Sequence, residues 1–64
     1  MNREYYQTTI TSWRRRQGHW LGEYRRAMLR GDSWAQRVTL DGLRFCTSQI
    51  SFLTKQLKRE VAAN

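Results

Sequence analysis

Trp34-Ala-Gln-Arg-Val-Thr-Leu-Asp-Gly-Leu-Arg-Phe-Cys46 is the stretch whose conformation decides the fold. Asp41-Gly42 lies at its centre. An Asp-Gly pair between alternating apolar residues predicts a two-residue β-hairpin, because a type I′ turn needs positive φ at both central positions. In that register Leu40 faces Leu43, Val38 faces Phe45 and Gln36 faces Thr47. Trp34, Val38, Leu40, Leu43 and Phe45 then share one side of the ribbon. Ala35, Arg37, Thr39, Arg44 and Cys46 share the other.

The same residues can be drawn as helix. Ala35, Thr39, Gly42 and Cys46 then lie on one face, with Val38, Phe45 and Phe52 beside it, and the whole chain becomes a two-helix hairpin. The β-branched Val38 and Thr39 argue against this. So does Gly42, which costs a helix interior about 1 kcal/mol relative to Ala. The expected fold is therefore α+β: helix, β-hairpin, helix, with the two helices antiparallel and the hairpin closing one end of the core.

The first helix is expected from a Thr11 or Ser12 cap to Arg30, with Gly31 as the left-handed residue that ends it. Trp13, Trp20, Tyr24 and Ala27 recur at helical spacing, with Leu21 and Met28 beside them. Tyr6 and Ile10 keep that spacing too, but the β-branched run Thr8–Thr11 favours an N-terminal arm over residues 1–11. Asp32 and Ser33 lead into the hairpin. Thr47 or Ser48 is expected to cap a second helix whose stripe is Ile50, Leu53, Leu57 and Val61. The single domain spans residues 12–62, and its expected core is Trp20, Tyr24, Val38, Leu40, Leu43, Phe45, Ile50, Leu53 and Leu57.

A chain of 64 residues buries only about 60% of its unfolded surface and is marginally stable alone. Its one cysteine, Cys46, forms no internal disulfide, and with His19 alone it makes no metal site. Self-association or docking onto a larger partner is the expected remedy. Gly18 and Gly22 thin one face of the first helix and, with Tyr5 and Tyr6, are the candidate subunit contacts.

The net charge is +7, and ten of the twelve basic residues are Arg. Arginine suits phosphates and planar hydrogen-bonded interfaces. Arg14, Arg15, Arg25, Arg26, Arg37 and Arg44 are the candidate cationic surface. No nucleophile–base pair, paired carboxylates or Gly-rich phosphate loop is evident, so neither an enzyme nor a cofactor is expected. No stretch is apolar enough to cross a bilayer, and the start MNREYYQTT lacks the apolar region of a secretory signal.

Trp13, Trp20-Leu21, Tyr24, Ala27-Met28-Leu29-Arg30-Gly31, then RVTLDGLRF, then TSQISFLTKQLKRE follow an order that resembles the gpW family of tailed-phage head-completion proteins over about residues 12–60. The resemblance implies an αββα fold and a non-enzymatic virion role at the head–tail junction. The chain would be made in the host cytoplasm and would assemble as a ring, a dodecamer, below the portal. That ring would bind the portal protein and the next connector or tail protein, and would hold packaged double-stranded DNA without reading its sequence. The candidate arginines would face DNA or the portal channel through phosphate contacts.

Two other roles fit the residues. One is a small basic nucleic-acid-binding regulator, using Trp and Tyr between cations for stacking. The other is an inhibitor of a host protein built as a helical-hairpin dimer, which requires residues 34–46 to be helical. A membrane-surface peptide is disfavoured, because the apolar face of the first helix has an internal partner.

Overall fold

A computed structural model describes residues 3–63, the side chain of Ala63 excepted. Among them are two α-helices and no strand: α1 is Arg3–Arg30 and α2 is Ser33–Ala63. The chain is all-α. The expected β-hairpin is absent, and Trp34–Cys46 runs unbroken through the first half of α2. Residues 3–11, expected as an arm, are helix as well. Met1 and Asn2 of that arm lie outside the described residues.

The turn is two residues long and fully hydrogen-bonded. Gly31 adopts φ +67°, the left-handed conformation that a Cβ penalises. Its N–H donates to the Met28 carbonyl at 3.1 Å, and that of Asp32 donates to the Ala27 carbonyl at 3.0 Å. This is the Schellman pattern, which satisfies the last carbonyls of α1. Asp32 then caps α2. Its Oδ1 accepts from the Ala35 N–H at 3.0 Å, and its carbonyl accepts the first helical bond from Gln36 at 2.9 Å. The stop at Gly31 falls where the sequence placed it. The expected caps Thr11 and Thr47 instead lie inside helices, donating back to the Gln7 and Leu43 carbonyls. Each hydroxyl satisfies itself locally without ending the helix.

The helices pack antiparallel along one seam. On α1 it is Tyr6, Ile10, Trp13, Gln17, Trp20, Tyr24 and Ala27; on α2 it is Ala35, Thr39, Gly42, Cys46, Gln49 and Leu53. The alternating steps of four and three are those of a left-handed coiled coil. Large residues of α1 meet small ones of α2. At Gly42 the approach is tight: a Cβ would lie 2.5–2.8 Å from three ring atoms of Trp20. Thr39 is buried with its hydroxyl donating to the Ala35 carbonyl at 2.7 Å. Gln17 crosses the seam to Thr47 Oγ1 at 3.0 Å.

The fully buried set is small: Ile10, Ala27, Thr39, Cys46 and Leu53. Of the expected core, Leu53 is in it, and Trp20, Tyr24, Leu40, Leu43, Ile50 and Leu57 are half-buried. Val38 and Phe45 are exposed. In a ribbon they would share the inner side with Leu40 and Leu43. In a helix they lie beside the seam, not in it.

Gly42→Ala separates packing from helix propensity. Ala gains about 1 kcal/mol over Gly in a helix, but overpacking costs typically 1–3 kcal/mol, and the ring at Gly42 leaves no space. At Gly18 no atom lies within 4 Å of a built Cβ. In urea melts, Gly42→Ala is expected to lower the midpoint and Gly18→Ala to raise it.

Candidate functional site

The groups capable of chemistry are dispersed. His19 is exposed, its ring edge-on to Trp20 at 6.0 Å. Cys46 is a free thiol sealed in the seam, 1% exposed. Among the described residues no three His, Cys, Asp or Glu side chains converge as metal ligands. The surface recesses are shallow furrows, such as the one between Tyr24, Leu40, Arg37 and Arg44. The features that can act are therefore on the surface.

Arg14, Arg15, Arg25, Arg26, Arg37 and Arg44 are all exposed, but they do not form one face. Arg14 and Arg15 lie near the middle of α1. Arg25 and Arg26 lie near the turn, with Arg26 paired to Glu23. Arg37 and Arg44 are seven residues apart and so share one line on the outside of α2. A cation overlooked in the sequence is Arg16. Its guanidinium sits 4.7 Å over the Trp13 ring, and Trp13 meets Phe45 edge-to-face at 5.5 Å. A basic residue three positions from a seam Trp is the signal that marks such a contact.

The expected subunit contacts are not gathered either. Tyr5 is exposed and edge-on to Tyr6 at 5.5 Å. Gly18 faces open space, and a Cβ at Gly22 would meet only the Arg26 guanidinium at 3.9 Å. Beside Gly31 in the turn, the glycine with a structural need is Gly42.

The turn end carries an apolar surface that the sequence reading passed over. Leu29 is 89% exposed and Met28 is 54% exposed. Leu29 lies two residues beyond the seam position Ala27, so it points away from α2. Arg25 and Arg26, four and three residues earlier, share its side of the helix, and Arg30 follows it. The patch is a large aliphatic side chain among exposed guanidinium groups.

These features define a helical-hairpin protein with exposed apolar and cationic surfaces. Comparison with known protein families, with characterised proteins and with solved structures found no match for this chain. No helix among the described residues is long and apolar enough to cross a membrane.

Burial of Cys46 supplies a direct check on the seam. A thiol reagent is expected to label the native chain only as fast as the helices separate, and to label it rapidly in denaturing urea. Fast labelling without denaturant would show that the Cys46 face is open.

Proposed function

We propose that this chain is a non-enzymatic docking protein, a helical hairpin that binds and masks an acid-rimmed apolar pocket on another protein. The observation that carries this reading is Leu29, 89% exposed between Arg25, Arg26 and Arg30. A large aliphatic side chain flanked by cations suits an apolar pocket with an acidic rim, the apolar contact supplying affinity and the charges approach and orientation. The guanidinium groups fit carboxylates bidentately. The net charge of +7 speeds encounter with an acidic surface.

The ring-forming connector role is not what we propose. It was attached to an αββα fold, and RVTLDGLRF, the segment that carried the strand pair, is helical. The nucleic-acid role is weakened by the seam. Trp13, Trp20 and Tyr24 are half-buried there, so they are not a stacking platform.

A photoreactive residue in place of Leu29, in cells that make the protein, tests the reading. One defined protein is expected as the crosslinked product, captured through an Asp- or Glu-rich segment. Arg25→Glu with Arg30→Glu is expected to weaken that complex at least about tenfold. Crosslinks to nucleic acid alone, or an unchanged affinity after both charge reversals, would contradict it.

A further inference from the structure

α2 carries a second apolar stripe. Trp34, Val38, Phe45 and Phe52 each precede a seam position by one residue: Ala35, Thr39, Cys46 and Leu53. The stripe is therefore turned about 100° around the helix axis from the seam. All four side chains are exposed, Trp34 by 73%, Val38 by 38%, and Phe45 and Phe52 by 57% each. Val38, Phe45 and Phe52 recur at seven-residue intervals, and the stripe runs for about 27 Å. A helix with two apolar seams near a right angle is the corner of a four-helix bundle.

We infer that this stripe is covered by α2 of a second copy of the chain, antiparallel about a two-fold axis at Phe45, so that two hairpins close a four-helix bundle. One observation calls for an occupant and two choose a copy. The first is area. A folded monomer of 7.7 kDa is expected to expose about 4,300 Å², whereas this chain exposes 5055 Å². The excess, about 700 Å², is spread over a rod of 50 × 14 × 11 Å and is of the size that each partner contributes to a standard interface, roughly 800 Å².

The second is self-complementarity. Antiparallel pairing at Phe45 sets Val38 opposite Phe52 of the second copy and brings Trp34 level with its Lys55, a cation–π pairing. Between Trp34 and Phe52 the line holds one charge, Asp41. Parallel pairing would oppose Asp41 to Asp41 and Lys55 to Lys55, which like-charge repulsion disfavours.

The third is α1. The same one-residue step from its own seam gives Tyr5, Thr9, Ser12, Arg16, His19, Glu23 and Arg26, a line polar throughout except for Tyr5 at its N-terminal end. Level with Phe45 the α1 line is polar whereas the α2 stripe is apolar, so the copies meet through α2. The cross-helix contacts Gln17–Thr47 and Trp20–Gly42 put Phe45 at a level between Gln17 and Trp20. The two-fold axis therefore falls at a level between Arg16, which lies over its own Trp13, and Glu23, which is paired to its own Arg26.

This inference stands apart from the docking reading, which uses Leu29 on the outer side of α1. Sedimentation equilibrium of the full chain tests it, with the expected mass twice 7.7 kDa. A benzophenone side chain at position 45 is expected to crosslink to α2 of an isotopically distinct copy, and one at Ser51, on the outside of α2, is not. Phe45→Lys with Phe52→Lys is expected to raise the dimer dissociation constant at least about 100-fold. If that variant loses its helical circular dichroism, through the Trp13–Phe45 contact within one chain, the crosslink from position 45 to α2 decides the inference instead. A native chain of single mass up to millimolar concentration would overturn the inference. So would crosslinks from position 45 to α1 of the other copy, or an unchanged dimer after both substitutions.

Discussion

The contact between the Trp20 ring and the backbone of α2 at Gly42 is the constraint on which the rest of the molecule depends. A Cβ at position 42 would lie inside the van der Waals surface of the indole. The absence of one lets the helices come together with a large aromatic residue between them. From that point the seam follows by steps of three and four in both directions. Ala35 and Cys46 continue the α2 line as small side chains, and the buried Thr39 hydroxyl is satisfied by its own helix. At one end the Gly31-Asp32 turn fixes the register through its paired carbonyls. Packing and turn agree on one alignment, which is how a chain this small specifies a single structure.

Two helices cannot enclose a core. Each buries one stripe, and only five described side chains fall below a tenth of their free exposure. Apolar residues outside that stripe are left on the surface: Leu29 at the turn and the Trp34-to-Phe52 line on α2. Surface apolar groups in an ordered array mark an interface more often than chance. Arginines flank Leu29, whereas Asp41 is the one charge on the α2 line between Trp34 and Phe52. The docking and pairing proposed above both use what the hairpin leaves uncovered along a rod 50 Å long.

Much of α1 was legible. Trp13, Trp20, Tyr24 and Ala27 marked its stripe, Gly31 marked its stop, and Ile50, Leu53 and Leu57 marked the later part of α2. Residues 34–46 were not, because they satisfy two periods at once. Val38, Leu40, Leu43 and Phe45 alternate as a ribbon would. Ala35, Thr39, Gly42 and Cys46 repeat as a helix face. Local chemistry favoured the ribbon, since Asp-Gly and β-branched residues are weak helix formers. Tertiary packing reversed that preference, turning the residue least suited to a helix interior into the one that admits Trp20. Length was the overlooked arbiter. A stripe from Tyr6 to Ala27 is about 32 Å long, and a partner as long as α2 covers all of it, whereas a short hairpin and a shorter helix leave part open. The exposed Leu29 carried only a weak mark, an aliphatic residue out of step with its stripe.

Nuclear Overhauser spectroscopy of the isotopically labelled chain tests the central contact directly. The account predicts cross-peaks from the Trp20 indole protons to the Gly42 α protons, together with unbroken sequential amide–amide connectivities from Trp34 to Cys46. Cross-strand α-proton contacts between the two arms flanking Asp41-Gly42, with no contact from Trp20 to Gly42, would contradict it.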